Sequence, residues 1–577
     1  MTAAAAPAPA AKPETPGWFA RAFTMLSRRP RLVLTLFCLI LWAPGVAILP
    51  PTDRDESRFA QSSKQMLESG DFVDIHFGAM PRYKKPVGIY WMQAATTAIA
   101  GLGDRNRIWT YRLPSLLGAL GSVWLALWCA RAIAGAEVAF AAAALLGATV
   151  LLAGEATIAT TDAVLLACVL AAQGMLLRVY LAARNGAAPV GRWLVLAGWA
   201  AFGLGILVKG PAMLTVPAVT VIGLSAWDRG LRWLRATKPI AGVLIALAIA
   251  APWLIAIALK SHGQFYQESL GQDFGNKLLG GQESHGYPPG YLLALLPITF
   301  WPAILFALPG LAAAIRARHE PAMRFLLVWS ASWVVFELVP TKLPHYVLPV
   351  YPALAIMAAV WVFKPSEQRR GWESVAFFAA AVLFILPAAG LAAAPLLLPS
   401  RFGGGMMWWL LGPVAVFAGL SLAGVVAYLR GRRLPALQFA VAAPLMLYPV
   451  LTAWVAPHLD QIWVSPRAAA AERALSRPDD PPPALAGYVE PSLVFLLGSE
   501  TRQTDGRGAA DAGAAQGGLA LVEDREGGAF KARLAELDAD ATEVGAVDGF
   551  NYSRGRKVRI RIYRVAPVQE VPPPPPE

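Results

Sequence analysis

The feature that most constrains this chain is a series of apolar runs of about 20 residues, which recur from residue 32 to residue 457. A run of that length can cross the hydrocarbon layer of a bilayer as one helix. The composition agrees, because 56% of the 577 residues are hydrophobic and 15% are charged, whereas soluble domains carry about 25% charge. The sequence therefore predicts a polytopic membrane protein and excludes a soluble enzyme or a disordered scaffold.

The apolar runs predict about thirteen transmembrane helices in an all-α domain at 32–457. The predicted spans are 32–50, 113–133, 137–154, 161–182, 193–208, 210–227, 239–259, 290–314, 322–340, 344–363, 374–398, 406–429 and 436–457. Basic residues are concentrated in alternate connections, which the positive-inside rule places in the cytoplasm. These residues are Arg178, Arg184, Arg192, Arg229, Arg232, Arg235, Lys238, Arg316, Arg318, Arg324, Lys364, Arg369, Arg370, Arg430, Arg432 and Arg433. The net charge of +13 therefore indicates topology and not a nucleic-acid partner.

The segments outside the spans define the remaining units. With the N-terminus in the cytoplasm, an odd number of spans places the C-terminal part on the outer side, together with the first loop. The predicted units are a cytoplasmic tail at 1–31, outer loops at 51–112 and 260–289, a small domain at 458–566 and a Pro-rich disordered tail at 567–577.

Local patterns predict secondary structure in these outer units. Residues 55–70 are amphipathic and residues 89–102 are apolar but short, so both are predicted to be helices that lie in the membrane interface. In the last unit, 519–522 and 558–565 are β-rich and 529–537 is a predicted helix. We therefore expect a small C-terminal α/β domain with a structural or recognition role.

Charged residues gather at the predicted outer ends of the spans. Residues 53–59 (DRDESRF) directly follow the first span, and 81–86 (PRYKKP) precede an interfacial helix. Asp162, Lys209 and Lys342 lie at the ends of other spans, where a charge is costly unless it is solvated or paired. Each residue alone has an ordinary explanation, such as a solvated loop or a snorkelling lysine. Together they predict carboxylates and cations that meet in one outward cavity.

Such a cavity suits the transfer of a sugar from a lipid-linked phosphate. A carboxylate base would accept the proton of the acceptor hydroxyl, and Arg or Lys would stabilise the departing phosphate. The sequence has no Gly-rich phosphate loop, so the expected donor is a polyprenyl phosphate sugar. A transporter or flippase of lipid-linked sugars and an oligosaccharide ligase are the alternatives. The lack of a clear internal repeat favours an enzyme over a transporter.

Five short motifs occur in order along the first 360 residues. They are DESRFA at 55–60, MLESGDF at 66–72, YKKPVGIYW at 83–91, GILVKGP at 205–211 and KLPHYVLP at 342–349. In this combination the chain resembles the GT-C glycosyltransferases of the protein O-mannosyltransferase and lipid A aminoarabinose transferase superfamily. The resemblance implies the GT-C fold, inverting transfer without a nucleotide-sugar cofactor, and a place in the bacterial inner membrane with the active site facing the periplasm.

The resemblance also implies roles for individual residues. Asp55 is expected to be the catalytic carboxylate, Glu56 a neighbour that shapes the site, and Asp162 the second acidic residue. The residues expected along the path of the lipid phosphate are Arg58, Lys85, Lys209, Lys342 and Tyr346. Further candidates to contact substrate or to gate the cavity are Tyr83, Lys84, Glu283, His285, Tyr287 and His345.

The chain departs from the aminoarabinose transferases at two positions. Lys84 stands where those enzymes carry an acidic residue of a metal site, and Val87 replaces the second proline of their K-P-P pattern. The histidines show no spacing typical of a zinc site. We therefore expect no metal and no other cofactor. The expected partners are the lipid bilayer, the polyprenyl phosphate sugar and an acceptor such as lipid A, another envelope glycan or a protein.

Overall fold

The computed structural model describes residues 17–275, 286–365 and 371–568. It consists of a helical membrane part, which ends near His458, and a C-terminal α/β domain. The α-helices of the membrane part are Trp18–Ser27, Pro30–Ile48, Asp55–Ser69, Gly88–Ala100, Ile108–Arg131, Ala136–Ala148, Val150–Thr157, Asp162–Arg184, Arg192–Lys209, Ala212–Trp227, Pro239–Lys260, Gln264–Tyr266, Tyr291–Thr299, Ile304–Arg316, Pro321–Leu338, Tyr351–Phe363, Gly371–Phe402, Leu411–Leu429 and Arg433–Val450. Short 3₁₀ segments are Arg232–Thr237, Pro344–Val350, Trp408–Leu410 and Ala456–His458, and π-helical segments are Gln267–Gly275 and Leu451–Val455.

The number of membrane spans is slightly lower than predicted. Among the described residues, ten helices are long and apolar enough to cross a membrane, or twelve if two bent helix pairs each form one span. The pairs are Ala136–Ala148 with Val150–Thr157, bent by 62°, and Tyr291–Thr299 with Ile304–Arg316, bent by 120°. The remaining predicted span, 210–227, corresponds to Ala212–Trp227, which has only 16 residues because the turn at Gly210 (φ +59°) and Pro211 delays its start.

Two spans form the centre of the membrane part. In Asp162–Arg184 and in Pro344–Phe363, 83% of an 18-residue stretch is buried, whereas in Pro239–Lys260 the share is 28%. Close packing beside the first of these depends on Gly118, since a Cβ there would lie 2.8 Å from the Cα of Val164. Small residues allow such close approach of membrane helices. Asp162 thus stands at the end of one of the two most buried spans.

The first outer loop contains the two predicted helices, Asp55–Ser69 and Gly88–Ala100, joined through a hairpin of His76–Phe77 and Met80–Pro81. Helix formation in both predicted segments is confirmed. Acidic residues in the first turn and Gly70 at the C-terminal cap favour the first helix. Their position in the membrane interface stays a prediction.

The C-terminal domain is a five-stranded mixed sheet with helices, as predicted. In order across the sheet, the strands are Arg502–Thr504, Ala484–Ala486, Gly518–Glu523, Arg556–Val565 and Ala541–Asn551. The first three are parallel, and the last two join antiparallel. The helices are Val464–Leu475, Pro491–Leu497, Gly506–Gln516 and Gly527–Glu536. Most of the predicted disordered tail, from 569 onward, lies outside the described residues.

This domain packs against the first outer loop. Phe495 is fully buried with Ala60, Tyr111 and Ala159, which belong to the loop and to the ends of two membrane helices. The contact requires both regions to lie on the same side of the membrane, so an even number of crossings separates them. Among the described helices, twelve spans separate the two regions if Ala212–Trp227 crosses and each bent pair crosses once, and this even number satisfies the condition.

Candidate active site

A buried ion pair joins the ends of two membrane helices. Asp162 is the first residue of Asp162–Arg184, and Lys209 is the last residue of Arg192–Lys209. Lys209 Nζ lies 2.5 Å from Asp162 Oδ1, and both side chains are largely buried. A carboxylate at a helix N-terminus and an ammonium at a C-terminus are each favoured by the helix dipole. The sequence predicted only that such carboxylates and cations lie at a similar depth in the membrane. In the structure, Asp162 and Lys209 are in direct contact.

His345 links this pair to a second buried carboxylate. Its Nε2 is 3.8 Å from Asp162 Oδ2, and its Nδ1 is 3.6 Å from Glu155 Oε1. Both distances exceed a direct hydrogen bond. Glu155 also accepts a hydrogen bond of 2.7 Å from the hydroxyl of Thr160. One imidazole therefore stands between two carboxylates inside the protein.

Tyr346 completes what we call the Asp162 cluster, which consists of Glu155, Asp162, Lys209, His345 and Tyr346. The ring centroid of Tyr346 lies 5.6 Å from Lys209 Nζ, and the rings of His345 and Tyr346 meet edge to face at 5.2 Å. Both residues lie in the 3₁₀ segment Pro344–Val350. This tight turn places adjacent side chains on the carboxylates and on the lysine.

Asp55 and Lys85 act on the same cluster from the first outer loop. Asp55 lies within electrostatic reach of Glu155 and His345, and Lys85 lies within electrostatic reach of His345. Asp55 begins its helix with a side chain that is 57% exposed, and Arg58 Nη1 lies 3.8 Å from its Oδ1. The loop therefore adds an accessible carboxylate and further cations to the buried cluster.

Glu56 has a different environment from its neighbour Asp55. Its carboxylate pairs with Arg112 at 2.7 and 3.0 Å and accepts hydrogen bonds from Thr52 and from the backbone N–H of Ala159. Burial alone would raise the pKa of Glu56, but the Arg112 pair and these hydrogen bonds lower it below its usual value. Arg112 also donates to the carbonyl oxygens of Val46, Leu49 and Pro50 at the end of the first span, among others. We call Glu56, Arg112 and Thr52 the Glu56 cluster, and its contacts suit the predicted shaping role.

Glu155 and Arg112 were not among the site residues predicted from the sequence. The signal for Glu155 was a carboxylate just beyond the apolar run 137–154, and the signal for Arg112 was a guanidinium at the start of the next apolar run after the first loop. A charge inside or beside a span indicates a partner in the protein. Identifying either partner required the fold.

Lys342 is held away from solvent by backbone atoms. It is 1% exposed, and its ammonium donates to the carbonyl oxygens of Val339 and Tyr287 at 2.7 and 2.8 Å. Tyr287 stacks on Tyr291 with ring centroids 4.0 Å apart. These contacts fasten the end of the predicted outer loop, and the predicted phosphate contact of Lys342 stays a prediction. Glu283 and His285 lie outside the described residues.

Tyr83 and Lys84 lie beside the loop hairpin. Tyr83 is buried with its ring 5.9 Å from that of Phe265, and burial together with a hydrogen bond to Asp74 raises the pKa of its hydroxyl. The ammonium of Lys84 does not serve as a metal ligand in place of a carboxylate. In the part of the chain that the structure describes, no group of three or more His, Cys, Asp or Glu residues suits a metal ion. The expectation of no metal stays a prediction.

Comparisons with known proteins place these motifs in context. The family described as dolichyl-phosphate-mannose-protein mannosyltransferase matches residues 84–255. Two relatives are undecaprenyl phosphate-alpha-4-amino-4-deoxy-L-arabinose arabinosyl transferases. The protein of Pseudomonas paraeruginosa is 29% identical over 331 residues, which is 55% of this chain and 58% of the relative. That of Erwinia tasmaniensis is 28% identical over 57% of this chain and 59% of the relative. The chain thus matches a little over half the length of these relatives.

Solved structures extend the similarity to nearly the whole chain. ArnT from Cupriavidus metallidurans bound to undecaprenyl phosphate superimposes with a TM-score of 0.71 at 19% identity, over 94% of this chain and 98% of that one. The apo form of the same protein gives a TM-score of 0.69 at 21% identity, with the same coverage. The predicted GT-C fold with its small C-terminal domain is confirmed, and so is the resemblance to transferases of the aminoarabinose type.

Proposed function

We propose that this membrane protein, with its GT-C fold, transfers a sugar from a polyprenyl phosphate donor to an acceptor. The observation that carries the proposal is the buried ion pair of Asp162 and Lys209 beside His345, with Asp55 and Lys85 within electrostatic reach of that imidazole. These charged groups come from separate helices and loops, which a merely solvated surface would not bring together. The names of the similar transferases support the same donor class.

Asp55 is the proposed catalytic carboxylate. It deprotonates or orients the acceptor hydroxyl, whose oxygen then attacks the anomeric carbon of the donor sugar. The new carbon–oxygen bond forms as the bond to the phosphate oxygen breaks, so a single displacement inverts the anomeric centre. The proton passes to Asp55, and polyprenyl phosphate leaves with the electron pair.

Cations stabilise the departing phosphate. Arg58, Lys85 and Lys209 are the proposed group, with Tyr346 beside Lys209. Fixed positive charge in a partly buried site is effective because it needs no reorganisation during the reaction. Asp162 holds Lys209 in place, so the two acidic residues have separate tasks. Asp55 is exposed enough to meet an acceptor, whereas Asp162 is buried and already paired.

The acceptor and the orientation belong to the same proposal. The acceptor is lipid A, another envelope glycan or a protein, and the site faces the periplasm of a bacterial inner membrane. The N-terminus would then lie in the cytoplasm and the C-terminal domain in the periplasm, which agrees with the distribution of basic residues.

Reconstitution in liposomes tests the proposal. With a polyprenyl phosphate sugar as donor, the wild-type protein should form a glycosylated product that mass spectrometry detects. Asp55→Asn should lower kcat by about 100-fold or more, since a positioned base contributes 10²–10⁴-fold, and should leave donor binding largely unchanged. Asp104→Asn is the matched control, because Asp104 lies in the same loop but pairs with Arg107. Full activity of Asp55→Asn would remove Asp55 from the mechanism, and lipid translocation without product would support a flippase instead.

A further inference from the structure

The C-terminal domain forms hydrogen bonds with the two residues that precede Asp55. The backbone N–H of Asp53 donates to the hydroxyl of Tyr552 at 2.6 Å, and the hydroxyl of Ser492 donates to the carboxylate of Asp53. The guanidinium of Arg54 donates to the carbonyl oxygen of Ser553. Ser492 lies in the helix Pro491–Leu497, and the other two lie in the turn between the strands Ala541–Asn551 and Arg556–Val565. Two elements of one domain therefore converge on one short stretch of loop.

Arg54 has a backbone conformation that a non-glycine residue rarely adopts. Its φ is +64° and its ψ is −117°, and it immediately precedes the helix that begins at Asp55. Such a conformation is retained only when the surroundings hold it. The C-terminal domain contacts Arg54 itself and Asp53, the residue immediately before it. Released from these contacts, the chain would relax and turn the start of the helix.

The rest of the same helix is also fastened to the domain. Gln61 donates to the hydroxyl of Ser499 at 2.8 Å, and Ser499 donates to Glu68. The ammonium of Lys64 lies 3.3 Å from the carbonyl oxygen of Phe495. These contacts fix the helix two to four turns from Asp55, so they secure its axis but not its first residue. The chain offers a natural comparison between contacts at Asp53 and contacts farther along.

We infer that the C-terminal domain positions the carboxylate of Asp55, with Ser492 and Tyr552 as positioning residues that act through Asp53 and Arg54. The inference rests on the proposed function for its catalytic meaning. It gives the domain a task in the transfer reaction although it supplies no group to the Asp162 cluster. The task depends on the strained backbone conformation of Arg54. The domain holds this conformation, and the conformation sets the direction of the Asp55 side chain.

Kinetics of full-length variants test the inference. Ser492→Ala combined with Tyr552→Phe should lower kcat by about tenfold or more, because small misplacements of reacting groups are costly, and should leave the donor KM near the wild-type value. Ser499→Ala is the matched control, since it also removes serine hydrogen bonds from the domain to the same helix. It should retain nearly wild-type kcat. Equal losses in both variants would overturn the inference.

The backbone conformation itself is tested by rescue. Glycine adopts a positive φ without strain, whereas alanine does not. In the Tyr552→Phe background, Arg54→Gly should therefore recover part of the lost kcat, and Arg54→Ala should not. Both substitutions remove the guanidinium equally, so an equal effect of the two would contradict the role of the strained backbone conformation at position 54.

Hydrogen exchange separates this inference from the proposed function. Amide exchange at residues 53–58 should rise in the Ser492→Ala/Tyr552→Phe variant and stay at the wild-type rate in Ser499→Ala. This readout requires no substrate. If the wild-type protein transfers no sugar, the proposed function fails while the exchange result still stands. Unchanged exchange in the double variant would overturn the positioning role even in an active enzyme.

Discussion

Two carboxylate clusters meet the first outer loop, and they differ in what surrounds the charge. In the Glu56 cluster, the side chains of Glu56 and Arg112 are 1% and 0% exposed, and each is enclosed by further hydrogen bonds. In the Asp162 cluster, the carboxylates lie at longer distances from His345 and within electrostatic reach of the exposed Asp55. The Glu56 cluster is saturated with hydrogen bonds and holds elements together, whereas the exposed carboxylate of Asp55 lies beside the Asp162 cluster. The adjacent acids Asp55 and Glu56 thus lie in opposite environments, the first exposed and the second buried and paired.

The largest expected effect breaks the Glu56 cluster. Arg112→Met should leave Glu56 buried without its counter-charge and remove donors from four carbonyl oxygens at the end of the first span. Breaking a buried pair on one side costs about 3–5 kcal/mol of unfolding free energy. Thermal unfolding in detergent should show a strong loss of stability, while Asp55→Asn should unfold close to the wild type. Wild-type stability of Arg112→Met would show that the cluster does not hold the fold.

The next effect removes the cation of the Asp162 cluster. Lys209→Met should lower kcat/KM by about 100-fold or more, because a fixed group that stabilises transition-state charge is worth 10²–10³-fold. Lys260→Met is the control, since Lys260 also pairs with an aspartate, Asp71, but is 45% exposed. Exposed pairs contribute about 0–1 kcal/mol, so this variant should keep its activity. Comparable losses in the two variants would argue against a specific role for Lys209.

The smallest expected effect is a pH dependence of stability that arises from Asp53, whose carboxylate contacts Ser492. Burial raises the pKa of Asp53 to about 6, with a smaller contribution from Glu490, although hydrogen bonds from Ser492 and Tyr552 oppose the shift. A raised carboxyl pKa favours the protonated form in the folded protein, so the contribution of Asp53 to folding stability is greatest below about pH 4 and is lost as pH rises through 6. Asp53→Asn should remove this dependence. Relative to the wild type, it should stabilise the protein by about 1–3 kcal/mol at pH 8 and by little at pH 4.

Thermal unfolding of both proteins between pH 4 and pH 8 measures this difference. In Asp53→Asn, the new side-chain amide oxygen accepts from the hydroxyl of Ser492, so the hydrogen bond between positions 492 and 53 is retained. A stability difference that does not change with pH would mean that the Asp53 carboxyl keeps one protonation state throughout. Such a result would leave the contacts of Ser492 and Tyr552 with Asp53 intact but remove their link to pH.

Much of the fold was predictable from the sequence. The predicted span at 161–182 appears as Asp162–Arg184, and the predicted helix at 55–70 appears as Asp55–Ser69. The β-rich runs at 519–522 and 558–565 are confirmed as strands. These elements depend on the local pattern of apolar and polar residues, and this pattern is visible within a short stretch of the sequence. The span count was less secure, because a bend of 120° in one apolar run leaves no mark on its hydropathy.

The candidate site was predicted only in part. Asp55, Asp162, Lys209 and Tyr346 were candidates from the sequence because charged and aromatic residues at span ends stand out locally and match known motifs. Glu155 was missed, and the partners of Glu56 and Lys342 were not foreseen. In each case the missing information was the identity of a residue tens or hundreds of positions away.

The sequence by itself determined that the chain lies in a membrane, where its helices form, and which charged residues had to find partners, since hydrophobicity and charge act through each residue's own chemistry. The tertiary structure alone decided which partner each charge met. Only packing brought His345 between Glu155 and Asp162, and only docking set Tyr552 on the loop before Asp55. Such contacts depend on how whole helices and domains settle against one another, and no local pattern encodes that arrangement.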